Sequence, residues 1–172
     1  MNLVEEAKNG NAEAFNALIE ANKLKLYKTA KAILRNEDDV CDAIQDTLMS
    51  AYTNINKLKE DKFFSTWIVR ILINKSYDII KKNQKIVNNS YDIDEYREDN
   101  NLKSYDTYKS DSIVEYAINK IDEDLRTITV LYYYNEYSVK EISEILDIPE
   151  GTVKSRLSRA REKLYVILKD NY

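Results

Sequence analysis

A chain of 172 residues, 44% hydrophobic and 33% charged, carries enough apolar material for one or two small globular units with modest cores. With no histidine and Cys41 as the single cysteine, it can form neither an internal disulfide nor a Cys/His zinc site, and imidazole acid/base catalysis is excluded. The formal net charge of -4 speaks against a uniformly basic nucleic-acid binder, so any such role has to rest on local clusters of cations.

Two glycines and one proline leave few tight turns, and helices are favoured throughout. Between residues 11 and 34, Ala14, Leu18, Ala21 or Leu24, Tyr27, Ala30 and Leu34 recur at helical spacing, which predicts one amphipathic helix or two in succession. Val40, Ile44, Leu48, Ala51 and Ile55 predict the next, with Glu37, Asp38 and Asp39 suited to its N-terminus. A third is predicted from about Ser65 to Lys82, carrying Trp67, Ile68, Ile71, Leu72 and Ile79, with Ser65 or Thr66 available as its cap. Periodicity fades between 83 and 111, where, beyond Lys85, seven acids (Asp92, Asp94, Glu95, Glu98, Asp99, Asp106, Asp111) face Arg97, Lys103 and Lys109. No apolar face offsets the entropy of ordering there, so a flexible acidic linker is expected, a short helix being the alternative.

Helical spacing returns with Ile113, Ala117, Ile118, Ile121, Ile128, Leu131 and Tyr132. Tyr132-Tyr133-Tyr134 is read as a packing face rather than a base-stacking one. Ser138-Val-Lys-Glu141 is a capping box, and Ile142, Ile145 and Leu146 form the buried stripe of a short helix. After Asp147-Ile148, Pro149 sets the start of another helix whose first turn holds Gly151 and Thr152; the rarity of Pro149 and Gly151 marks a spot of special backbone geometry. Two short helices across so brief a turn form a helix-turn-helix. At 100° per residue, Val153, Leu157, Ala160 and Leu164 share the packed face of the last helix. The opposite arc presents Gly151, Ser155, Ser158, Arg159 and Glu162, small hydrogen-bonding residues suited to base edges in a major groove. Lys154 and Arg161 flank it on one side and Arg156 and Lys163 on the other, as two phosphate backbones require.

Two basic clusters thus stand in an acidic chain. Lys62, Arg70, Lys75, Lys81, Lys82 and Lys85 face Asp78 alone across 62–85, and five cations outnumber Glu150 and Glu162 across 149–164. Solvated helix faces are the plain alternative for each. The residues Ile148-Pro-Glu-Gly-Thr-Val-Lys-Ser-Arg-Leu-Ser-Arg-Ala-Arg-Glu-Lys-Leu164 resemble the promoter −35-reading region of extracytoplasmic-function (ECF) sigma factors. Asp42-Ala-Ile-Gln-Asp-Thr-Leu48 resembles the polymerase-binding segment of that family, and Phe64-Ser-Thr-Trp-Ile-Val-Arg-Ile71 the start of its −10-reading helix.

This resemblance implies an all-α chain of two small helical domains, residues 1–82 and 112–172, joined by the linker 83–111, with the helix-turn-helix in the second. It implies that Asp42, Gln45 and Asp46 grip core RNA polymerase through a basic helical partner. Arg70, Asn74, Lys75, Lys81 and Lys82 would face opened −10 DNA, Trp67 would be chiefly core, and the loop from about Asn56 to Phe63 would hold a flipped −10 base. Lys154, Ser155, Ser158 and Arg159 would approach −35 bases while Arg156 and Arg161 contact phosphates. With Gly151, Thr152 and Lys163, these complete the expected −35 surface. Asp147 stands where many relatives have glycine, and aspartate tolerates left-handed geometry better than most residues. Ser158 is smaller than the side chains often found at its position, which leaves base preference open.

The expected partners are core RNA polymerase, promoter DNA with two elements about two helical turns apart, and an anti-sigma factor, which in this family carries a membrane segment. No cofactor, metal or small-molecule substrate is expected. A conventional helix-turn-helix regulator would leave Asp42, Gln45 and Asp46 without a role. An enzyme has little support, because the sequence offers no metal cluster, phosphate-cradling glycine loop or nucleophile–base pair. No run approaches the roughly 20 apolar residues of a membrane span, and the start Met-Asn-Leu-Val-Glu-Glu lacks the features of a secretion signal, so a cytoplasmic protein is expected.

Overall fold

The structure, a computed structural model, describes residues 2–89 and 111–170. Among these every regular element is helical: α1 (Leu3–Lys8), α2 (Ala12–Ile33), α3 (Glu37–Asn54), α4 (Phe64–Asn89), α5 (Asp111–Lys120), α6 (Glu123–Thr129), α7 (Val139–Leu146) and α8 (Glu150–Asp170). Two 3-10 turns, Ile55–Lys57 and Asp61–Phe63, join α3 to α4, and a π-helical turn, Val130–Tyr134, extends α6.

Caps set several boundaries. Asn2, Asn11 and Asn36 each accept a backbone N–H from the first turn of the helix that follows, so Asn36 opens α3 just ahead of the expected acids Glu37, Asp38 and Asp39. The hydroxyls offered as caps for α4 are engaged otherwise. Thr66 Oγ1 donates to Phe63 O at 2.9 Å, and Ser65 Oγ lies 2.7 Å from the Tyr137 phenol. α4 also runs to Asn89, seven residues into the segment expected to be linker. Straight-chain residues such as Lys82, Gln84 and Lys85 extend an established helix at little cost once it is nucleated, even with the side chains of 81–86 exposed. The rest of the expected acidic linker, residues 90–110, lies outside the described residues, and Asp111 already belongs to α5.

The buried face of α2 is rotated from the expected one. Ala14, Ala30 and Leu34 are buried as predicted, but Leu24 is 61% and Tyr27 43% exposed, while Leu26, Ile33 and the polar Asn22 and Thr29 point inward. The reason is tertiary: α2 packs on α1, α3 and α4 on one side and on α6 and the π turn on another. One apolar cluster accordingly runs from Val4 and Phe15 through Ile68 and Leu72 of α4 to Leu131, Ile142 and Leu157. Trp67 is partly buried against it, 6.0 Å from Phe64.

Polar contacts close the same seam. The guanidinium of Arg126, 3% exposed, donates from Nε to Ala32 O and from Nη1 to Ile121 O. Asn135 Nδ2 donates to Thr29 Oγ1 at 2.8 Å, and Lys25 sits 4.8 Å from the centre of the Tyr137 ring. Within the tyrosine triplet the packing expectation holds for Tyr132 alone, which is half-buried. Tyr133 and Tyr134 are 49% and 41% exposed, and Lys28 lies over the Tyr134 ring.

Candidate nucleic-acid interface

The helix-turn-helix forms as expected, with its unusual geometry displaced by a few residues. Ser138 Oγ accepts from Glu141 N while the Glu141 carboxylate accepts from Ser138 N at 2.8 Å, a complete capping box. α7 ends on Asp147 in the left-handed region (φ 54), the conformation that lets the chain reverse direction there. Ser143 Oγ donates to Ile148 O at 2.6 Å and Ile148 N donates to Ser143 O, which ties the turn to the helix before it. Pro149 then precedes α8, and its carbonyl accepts from Thr152 and Val153. Gly151 needs no special backbone: a Cβ there would meet nothing within 4 Å. The fold tolerates a side chain at 151, and the bare backbone leaves room for an approaching partner.

Val153, Leu157 and Ala160 of α8 are buried and Leu164 is partly so, which turns Gly151, Ser155, Ser158, Arg159 and Glu162 to solvent. The two rims differ. Lys154 and Arg161 are exposed and make no ion pair among the described residues. On the other rim Arg156 Nε lies 3.5 Å from Asp124, and Lys163 pairs with Asp122, so both cations are held by the start of α6. The Lys163 ammonium, as hydrogen-bond donor, holds the Asp122 carboxyl below the usual range. Thr152 is half-buried.

On α4, Arg70, Asn74, Lys81 and Lys82 are exposed and Lys75 is half-buried. Arg70, Asn74 and Tyr77 line a cleft whose other wall is Asp147, Ile148 and Arg156, so the two basic regions face each other across it. On α3, Asp42, Gln45 and Asp46 are exposed, and the same stripe continues through Met49 and Tyr52, 65% and 52% exposed. Sequence reasoning missed these two; the available signal was helical spacing, with Met49 three to four residues after Asp46 and Gln45 and Tyr52 three after Met49.

The connection between α3 and α4 is held from outside. Lys8 Nζ donates to Leu58 O at 2.8 Å and to Asp61 Oδ1 at 2.6 Å, while Asn2 Nδ2 donates to Asp61 Oδ2 at 2.8 Å. These bonds, Lys8 first, hold the Asp61 carboxyl below the usual carboxylate range. A lowered folded-state pKa contributes stability above the ordinary carboxylate value, and that stability is lost as pH falls through the lowered one. Thermal melts across acidic pH should therefore show a decline that is shallower in Asp61→Asn; identical profiles would dismiss the contribution.

Comparison with known proteins assigns these features to a class. Residues 18–86 match the family described as Sigma-70 region 2, and residues 112–164 match Sigma-70, region 4. The chain is 32% identical to the ECF RNA polymerase sigma factor SigW of Bacillus subtilis (strain 168), over 97% of this chain and 95% of that protein. It is 30% identical to the ECF RNA polymerase sigma-E factor of Haemophilus influenzae, over 94% and 91%. Its fold matches that of CnrH, solved in complex with the cytosolic domain of CnrY, with TM-score 0.72 at 24% identity over 99% of this chain and 97% of that one. The sigma factor RpoE from Bartonella quintana, in complex with the anti-sigma factor NepR, matches with TM-score 0.75 at 25% identity over 92% and 98%. The chain belongs to the ECF RNA polymerase sigma factors, and it directs core RNA polymerase to promoters in transcription initiation. No described helix is long and apolar enough to cross a membrane.

Proposed function

We propose that three surfaces divide the work of this sigma factor, which acts in the cytoplasm without catalysis of its own. Asp42, Gln45 and Asp46, extended by Met49 and Tyr52, bind a basic helical element of core polymerase. Arg70, Asn74, Lys75, Lys81 and Lys82 face opened −10 DNA, and the Asn56–Phe63 loop takes a flipped base. Gly151, Thr152, Lys154, Ser155, Ser158 and Arg159 address the −35 major groove, with Arg156, Arg161 and Lys163 at its phosphates. An anti-sigma factor restrains the free protein, in keeping with the NepR complex of its structural relative.

The observation that carries the DNA assignment is α8 itself, whose apolar side is buried while Ser155, Ser158 and Arg159 form an exposed strip beside Lys154 and Arg161, which make no ion pair among the described residues. Arg159→Ala should relax base choice at one −35 position by about five- to a hundredfold, the worth of one good base contact. Arg161→Ala should weaken all sequences evenly and reduce the salt dependence by about one counterion. Binding to a −35 duplex library at two salt concentrations distinguishes the two; an even loss for Arg159→Ala would remove it from base reading. Run-off transcription with core polymerase tests the whole, since a protein that binds DNA without delivering polymerase gives no promoter-directed RNA.

A further inference from the structure

We propose that α1 braces the loop between α3 and α4, and that Lys8 is the positioning residue which fixes how that loop meets an extruded −10 base. This rests on the reading of the loop as the base-holding element. α1 lies ahead of residues 18–86, the stretch matched by region 2, so its contacts extend the site beyond that match.

The loop has little to hold it in place by itself. Its two 3-10 turns close through Leu58 N to Ile55 O and Phe63 N to Glu60 O, both at 3.1 Å. Ile55 and Leu58 anchor one end and Phe64 the other, while Lys59, Glu60, Lys62 and Phe63 between them are exposed. Short 3-10 turns have poor hydrogen-bond geometry and shift readily. Into this stretch reaches α1. The Lys8 ammonium ties the Leu58 carbonyl and the Asp61 carboxylate together, and Asn2 occupies the second oxygen of Asp61. The side chains of Lys8 and Asp61 are 22% and 29% exposed, so the pair is partly shielded from water. α1 is itself fixed, with Asn2 Oδ1 accepting from Glu5 N and with Val4 and Ala7 buried in the core.

The element held in this way has the chemistry a nucleobase requires. Phe63, two residues from Asp61 in the same turn, exposes 38% of its surface, and Lys62 Nζ stands 4.8 Å from its ring centre. Lys62 lies over that ring and 2.9 Å from Glu60, so a base stacking on the exposed ring takes the cation's place while the ammonium turns to the neighbouring phosphate. Stacking alone tolerates any base; discrimination demands that the loop's edge groups sit at fixed positions, which the Lys8 brace supplies.

The test uses the full chain with core polymerase on a promoter selected from a randomised library and pre-melted at −10, with each base placed in turn at the extruded position. Lys8→Met keeps the apolar stem and removes the ammonium. It should lower the ratio of open complexes on preferred over other bases by about three- to tenfold, leaving polymerase affinity and −35 duplex binding unchanged. Asp61→Asn should act in the same direction, and the exchange Lys8→Asp with Asp61→Lys should restore part of the ratio. Should Lys8→Met fold poorly, Asn2→Ala reports through the second Asp61 oxygen. Phe63→Ala separates the layers. If it alters discrimination while folded Lys8→Met does not, the brace is wrong and the loop reading stands; if neither does, both fall.

Discussion

Replacing Arg126 with methionine is expected to destabilise the packed arrangement of the two sigma regions by about 2–4 kcal/mol, with the unfolding midpoint falling accordingly. The guanidinium bridges Ala32 O, among the last carbonyls of α2, and Ile121 O, where α5 gives way to α6. Methionine fills much of the volume and satisfies neither acceptor, although relief from burying a charge offsets part of the loss. Burial lowers the proton affinity of Arg126, yet a guanidinium stays charged at any physiological pH. The consequence for function follows from distance. Arg70 and Asn74 share a cleft with Arg156 and Asp147, whereas promoter elements two helical turns apart are separated by about 70 Å. Reading both at once requires the regions to part. Arg126→Met should therefore raise the radius of gyration in small-angle scattering while run-off transcription with core polymerase is retained. Unchanged scattering and melting would show that the seam does not depend on this contact.

Reversing charge on α3, with Asp42→Lys and Asp46→Lys together, should weaken core polymerase binding by about a hundredfold or more, because like charges then oppose a basic helical partner. All the residues concerned are exposed, so the melting temperature should scarcely move. Binding of −35 duplex by the free chain should be untouched, since Asp42 and Asp46 belong neither to α8 nor to the Asp122 and Asp124 pairs at its rim. Measured by competition for core polymerase, a loss below threefold would move the polymerase surface elsewhere. Met49→Ala or Tyr52→Ala then tests whether the exposed apolar end of the stripe shares the load; Tyr52 is already set edge-on against Phe15, 5.1 Å between ring centres.

How much of this was legible in advance differs element by element. The Ser138–Glu141 capping box and the buried side of α8 were readable because each depends on residues within one or two turns of one another, whereas the rarity of Pro149 and Gly151 drew the special backbone geometry away from Asp147, where it occurs. The extension of α4 was missed because the end of a solvated helix is set by small propensity differences, without a marked stop signal. The face of α2 was misread for another reason. Thr29 and Asn22 appear polar to a pattern search, yet Thr29 is buried where Asn135 arrives from 106 positions away.

The amino-acid order alone determined that the chain is helical, where its helix-turn-helix begins, and which α8 residues share a strip. Periodicity and capping act locally, and local forces are written in neighbouring residues. The tertiary structure decided which cations stay available: Lys154 and Arg161 stand clear, while Arg156 and Lys163 answer to Asp124 and Asp122. It also turned an unremarked arginine into a seam between regions and an N-terminal lysine into a brace. Such assignments depend on where distant backbone comes to rest, and Coulomb and hydrogen-bond forces take effect only once packing has brought the partners together.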